Sequence, residues 1–254
     1  MAELLKVSNL SVNVGEKDIL HGVDLVINPG ETHVLLGPNG AGKSTLGNAI
    51  MGNPTYTVVG GDIEFEGKSI VEEGTDARAK MGLFMSFQNP LEVPGITLSN
   101  FIRSALEQKT GERVRLWDFR KSIKKKMELL NMDESYSDRD LNVGFSGGEK
   151  KKSEILQLLM LDPKLAILDE TDSGLDVDAV RTVSEGVAEF QKDETKSLII
   201  ITHSTRILEA LKVDYAHVLV NGKIVYSGDA SLIDDINENG FEKYIPAGET
   251  VEAE

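Results

Sequence analysis

Nine residues constrain this chain more than any others: Gly37-Pro38-Asn39-Gly40-Ala41-Gly42-Lys43-Ser44-Thr45. They fit the spacing G-x-x-x-x-G-K-S/T, a pattern with a mechanism behind it. Glycines let the backbone bend until its N–H groups converge on an anion. A helix starting near Lys43 adds free N–H groups and the positive end of its dipole at the same place. In such a loop the lysine, Lys43, reaches β- and γ-phosphates, and the hydroxyl after it, Ser44, ligates Mg2+. The loop must follow an apolar strand, and His33-Val34-Leu35-Leu36 supplies one.

The rest of the chain reads as the α/β fold that such a loop requires. Residues 4–36 read as strands, on the alternation Val7-Ser8-Asn9-Leu10-Ser11-Val12 and the run before the loop. Short strands are expected at 62–66 and 83–87. From 91 to 145 the texture changes to helical spacing, with Pro90 and Pro94 near its start, and this stretch reads as a helical subdomain inserted into the core. Its Phe101, Trp117 and Phe119 are expected in that subdomain's interior. Lys124-Lys125-Lys126 reads as a solvated face above the apolar stripe Ile123, Met127, Leu130. A helix is expected from Ser146 to Leu161, then strands at 165–169 and 197–202 alternating with helices at 176–191 and 204–211. Near-continuous Leu/Ile/Val strands indicate a parallel sheet buried on both faces. Asn221-Gly222 between Tyr215–Val220 and Lys223–Ser227 is the favoured type I′ hairpin turn. No repeat is visible, so the chain reads as one cassette, with residues 1–90 and 146–254 as its core, 91–145 inserted, and a loose acidic end over 247–254.

Leu165-Ala166-Ile167-Leu168-Asp169-Glu170 is an apolar strand ending in two carboxylates. Buried acids are costly unless a cation or a transferable proton meets them. Asp169 is expected to hold Mg2+, usually through water, and Glu170 to polarise an attacking water. Neighbours on a strand point to opposite sides, so both reach one site only if the backbone turns at the strand's end. Composition narrows the setting. With 42 acidic against 27 basic residues and a net charge of −15, a broad nucleic-acid surface is excluded as an expectation. The chain has no cysteine, so it cannot supply a thiolate to a metal or cluster, and this fits a reducing cytoplasm. No run approaches the length of a membrane span.

Four further elements carry a resemblance. Phe145-Ser146-Gly147-Gly148-Glu149 resembles the signature sequence of ATP-binding-cassette (ABC) ATPases, with Phe for the usual Leu and Glu for the usual Gln. Gln88 is similar to the family's Q-loop glutamine, and His203 to its switch histidine. Ser173-Gly174-Leu175-Asp176 is similar to its D-loop. The resemblance implies a P-loop cassette with a parallel-sheet core, an N-terminal antiparallel β subdomain and an inserted helical subdomain. It implies ATP and Mg2+ as cofactors, Gln88 touching Mg2+, and Lys43, Glu170 and His203 as catalytic residues. It also implies that Ser146, Gly147 and Gly148 face the γ-phosphate of ATP held by a second cassette, in a transient homodimer. Val14 falls where the family has an adenine-stacking aromatic, so base discrimination is expected to be weak.

Within the family, Met51-Gly52-Asn53-Pro54-Thr55-Tyr56, Ser86 to Gly95, Leu168 to Asp178 and Val220 to Asp229 are similar to the SufC-type ATPases of iron–sulfur cluster assembly. That resemblance implies SufB/SufD-like soluble scaffold proteins as partners, docking over about residues 88–120, where Pro90, Leu91, Val93 and Pro94 offer an apolar edge. A transporter ATPase subunit, or a cassette that binds ATP without turnover, shares the same motifs and remains an alternative at this point.

Overall fold

Residues 3–202 and 206–245 are described by the computed structural model. The chain runs β1 (Leu5–Val14), β2 (Lys17–Ile27), β3 (Thr32–Leu36), α1 (Lys43–Met51), β4 (Tyr56–Phe65), β5 (Lys68–Ser69), α2 (Thr75–Met81) and β6 (Leu83–Met85). It continues through β7 (Val93–Thr97), α3 (Leu98–Thr110), α4 (Leu116–Leu129), β8 (Asp140–Leu141), α5 (Gly147–Leu161), β9 (Leu165–Asp169) and α6 (Val177–Gln191). Last come β10 (Ser197–Ile201), β11 (Tyr215–Val220), β12 (Lys223–Gly228) and α7 (Ser231–Asn239).

A six-stranded sheet in the order β12-β11-β3-β10-β9-β6 forms the middle layer. All its pairings are parallel except the β11–β12 hairpin. Every residue of β3, β9 and β10 is buried, which accounts for their unbroken apolar runs. Strand parity then divides the core in two. Ala166 and Leu168 of β9, Leu198 and Ile200 of β10, and Val34 and Leu36 of β3 pack with the helices α3 to α6. Leu165 and Ile167, Ile199 and Ile201, and Leu35 pack on the other side with α1 and the four-stranded antiparallel sheet β2-β1-β4-β5. Three layers follow from a period of two in three short strands.

Between residues 91 and 145 the chain forms α3 and α4 and one small antiparallel pairing, β7 with β8. Ile123, Met127 and Leu130 are buried beneath α4, and Phe119 joins them, with Phe101 packed at the edge. Trp117 does not: it is 80% exposed, because it sits in the first turn of α4 on the face away from Phe119 and Ile123. Lys126 also departs from the solvated-face reading. It turns inward and donates to the Leu159 carbonyl at the end of α5. The helix expected over 204–211 is a turn and a single 3₁₀ turn, Leu208–Ala210, where it is described. The chain must drop at once into β11, and the Gln191 side-chain amide fixes that descent by bonding both backbone groups of Lys212, at 2.9 and 2.6 Å. No helix among the described residues is long and apolar enough to cross a membrane.

Candidate functional site

The parallel strands β3, β9, β10 and β6 all end at one edge of the sheet, the usual place for a ligand crevice in open α/β folds. A cleft of about 620 Å³ lies there, lined by Ile19, Asn39, Gly40, Ala41, Gly42, Lys43, Ser44, Thr45, Gln88 and Glu170. Gly37 and Pro38 form the loop's root. A Cβ on Gly37 would stand 2.1 Å from the Leu219 carbonyl oxygen, so only glycine fits. Gly42, at φ 104, turns the chain into α1, and a Cβ there would meet Leu20 at 2.8 Å.

Lys43 is buried and its Nζ donates to the carbonyls of Gly37 and Pro38, each at 2.8 Å. Burial pulls its ammonium down to about 8, opposed by the carboxylates of Glu170 and Asp169. Asp169 belongs by parity to the face that carries Leu165 and Ile167, so it points toward α1. There the Ser44 hydroxyl donates to it at 3.0 Å. Burial pushes the Asp169 carboxyl up, with Glu170 beside it adding to the rise. Glu170 would face the opposite layer if the strand continued. It adopts φ 46 instead, a left-handed turn that leaves it lining the same cleft. Gln88 Nε2 donates to Glu170 Oε2 at 2.7 Å.

Ser44, Asp169, Gln88 and Glu170 therefore meet in one chain, with Lys43 beside them. Ser146, Gly147 and Gly148 do not line this cleft. They open α5, where Ser146 Oγ accepts from the Glu149 amide and Glu149 Oε2 accepts from the Ser146 amide, a reciprocal cap. Ser146 and Gly147 stand exposed. His203 lies outside the described residues. Its neighbour Thr202 is buried and donates to Asp172, with Oγ1 2.9 and 3.0 Å from the two carboxylate oxygens. Ile19, on β2, had no sequence signal; the antiparallel sheet brings it to the cleft as an apolar wall, and Val14 is not among the lining residues.

The donor set is all oxygen: a hydroxyl, a buried carboxylate short of compensation, and a side-chain amide. Such a set suits a hard cation like Mg2+ sharing its shell with phosphate and water. The phosphate loop likewise presents backbone N–H groups and a lysine to an anion.

This chain belongs to the ABC transporter family, whose description matches residues 20–173, and it is an ATP-binding ATPase cassette. Among its relatives, "Probable ATP-dependent transporter SufC" of Escherichia coli is 45% identical over 94% of this chain and 97% of that protein. "Probable ATP-dependent transporter ycf16" of Pyropia yezoensis is 46% identical over 94% of this chain and 96% of that protein. In structure it is similar to a nucleotide-free ATP-binding cassette from an ABC transporter, with TM-score 0.76 and 26% identity, over 96% of this chain and 99% of that one.

Proposed function

We propose that this chain binds Mg-ATP, hydrolyses it when two cassettes close on each other, and uses that ATP-driven closure to change the conformation of a SufB/SufD-type soluble scaffold in iron–sulfur cluster assembly. The observation that carries the chemistry is the meeting of Lys43, Ser44, Asp169, Gln88 and Glu170 at one sheet edge. Lys43 and the loop amides bind the phosphates. Ser44, Asp169 and Gln88 would hold Mg2+, which when bound neutralises charge on the β- and γ-phosphates. Glu170 accepts a hydrogen bond from the attacking water and takes its proton as the bond to the γ-phosphorus forms and the bond to the β–γ bridging oxygen breaks, with ADP leaving. His203 steadies the γ-phosphate. Ser146, Gly147 and Gly148 add the donors that one chain lacks, from a second copy. Their separation from the cleft within one chain supports this trans role.

Glu170→Gln tests the base. It should bind ATP, stop turnover and accumulate a nucleotide-bound dimer; persistent turnover removes Glu170 from the role.

The scaffold role is supported by the 45% identity to a relative named SufC and by the absence of cysteine, which leaves cluster ligands to a partner. Its docking edge is the stretch after β6, where Leu91 is 78% exposed and Phe87 53%. The cytoplasm is the compartment that suits such a partner. Relatives whose names carry "transporter" favour the second reading, a transporter subunit with the same site. Pull-down of tagged protein from detergent-free extract separates them: soluble cysteine-bearing proteins support the scaffold reading, and an integral membrane protein released only by detergent overturns it.

A further inference from the structure

One turn of α5 carries two ionisable side chains on its inward face. Lys151 and Glu154 are each 4% exposed, with Nζ 3.4 Å from Oε2. Neither is spent on the other alone. Glu154 Oε1 accepts the backbone N–H of Phe87 at 2.8 Å, and Lys151 Nζ donates to the backbone carbonyl of the same residue at 2.6 Å. Opposite charges from one helical turn thus hold both polar groups of a single residue, whose own side chain is half exposed.

Phe87 immediately precedes Gln88. On its other side Ser86 is fixed to the catalytic strand: its amide donates to Ile167 at 2.9 Å, and its Oγ accepts from the Asp169 amide at 3.0 Å. Residues 86–88 are therefore strung between β9 and α5, and they end with the Gln88 amide on Glu170. Packing does not demand this arrangement. An apolar pair of similar volume is commonly as stable as a buried ion pair. Here the second oxygen of Glu154 has no hydrogen bond, and burial pushes its carboxyl up. The helix that bears the pair also opens on Ser146-Gly147-Gly148, little more than one turn upstream.

We propose that Lys151 and Glu154 are positioning residues: they hold the Phe87 backbone so that Gln88 meets Glu170, and they tie that contact to the signature end of α5. This rests on the reading of Gln88 and Glu170 given above.

The test uses the full chain with Lys151→Met and Glu154→Leu combined, Glu154→Gln alone, and Gln88→Ala alone and in the double background. Hydrogen exchange over residues 86–90 reads the hold itself, independently of the site. The double variant should exchange roughly tenfold faster or more there, with its Tm held or raised. Its kcat should fall roughly tenfold to hundredfold at nearly unchanged KM for ATP. Adding Gln88→Ala should cost little more, because both changes remove one contact. Glu154→Gln keeps an acceptor for the Phe87 amide and should recover most of kcat. If the double variant fails to fold, Lys151→Met alone carries the same measurements. Unchanged exchange, wild-type kcat, or losses that multiply independently with Gln88→Ala would overturn the proposal. Wild-type turnover in Gln88→Ala alone would remove the reading beneath it, whatever the exchange result.

Discussion

Glu170 and Asp169 are neighbours with different environments, set by one dihedral. Asp169 inherits its direction from the strand, while Glu170 owes its place to a left-handed φ of 46. The sequence showed two carboxylates at the end of an apolar run and the need for a turn. The turn's form, a left-handed residue at Glu170, is visible only in the fold. Asp169 carries a desolvated charge whose release should stabilise the nucleotide-free fold. Asp169→Asn should therefore raise Tm at neutral pH while turnover falls by at least about a hundredfold, a trade of stability against function. Calorimetry and a steady-state assay together check it; a lowered Tm contradicts the account of Asp169 as a strained buried acid. A second residue-scale feature was not legible at all. His33 and His217, distant in sequence, stack at 5.2 Å and share a hydrogen bond of 2.9 Å inside a chain that runs from Glu31 to Ser227. A neutral chain satisfies every ring nitrogen, and an added proton breaks one link. Burial pulls His217 down to about 4, with His33 beside it adding to the fall; His33 is itself lowered by burial, against Glu31 and Asp214. The unfolded chain takes up the proton first. Stability is thus unaffected above pH ~6.5 and declines as pH falls toward ~4, by about 3 kcal/mol from His217. In His217→Gln the Tm against pH should flatten across that window; a curve parallel to wild type contradicts the assignment.

At the scale of elements, helix ends and turns do much of the positioning. The Asn221-Gly222 hairpin turn, both residues at positive φ, matches its sequence signal. What the signal does not say is where the turn lands. Gly222 donates to the Ala41 carbonyl at 2.9 Å and accepts from the His21 amide at 2.9 Å, so the hairpin braces the phosphate loop. The end of α1 is held by Arg78 of α2, fully buried, whose guanidinium donates to the carbonyls of Ala49, Ile50, Val71 and Glu73 at 2.8 to 2.9 Å. In the sequence Arg78 sits between Lys80 and Asp76 in a short polar helix and looks solvated; its role depends on α1 passing beside it. Arg78→Ala removes the donors to four carbonyls, those of Ala49 and Ile50 at buried contacts, and should cost about 3 kcal/mol or more, read by urea unfolding. A loss below about 1 kcal/mol would show that water replaces the guanidinium. The C-terminus of α5 is likewise met by cations, with Lys109 donating to Leu161 and Asp162 at 2.6 and 2.8 Å, and Lys126 to Leu159. Runs of lysine in a sequence do not distinguish these from the exposed Lys124 and Lys125.

Across the whole molecule, the sequence carried the layers well because they rest on local pattern: near-continuous apolar runs in β3, β9 and β10, and a longer apolar stripe in α4. The phosphate loop, the two acids and the signature were legible for the same reason, each being a short pattern. Ile19 in the cleft wall, the exposure of Trp117 and the inward Lys151–Glu154 pair were not, since each depends on which distant element lies opposite. The largest feature is a separation. Phosphate loop and acids share one sheet edge, while the signature helix opens elsewhere on the same chain. On the function proposed above, a cassette built this way is half a site, and hydrolysis should depend on meeting a second copy. The direct test is steady-state ATP turnover per chain across a wide range of protein concentration. Turnover should be low when dilute, rise with concentration and be lost when Ser146 is replaced by Arg. High turnover per chain, independent of concentration and unaffected by Ser146→Arg, would contradict it.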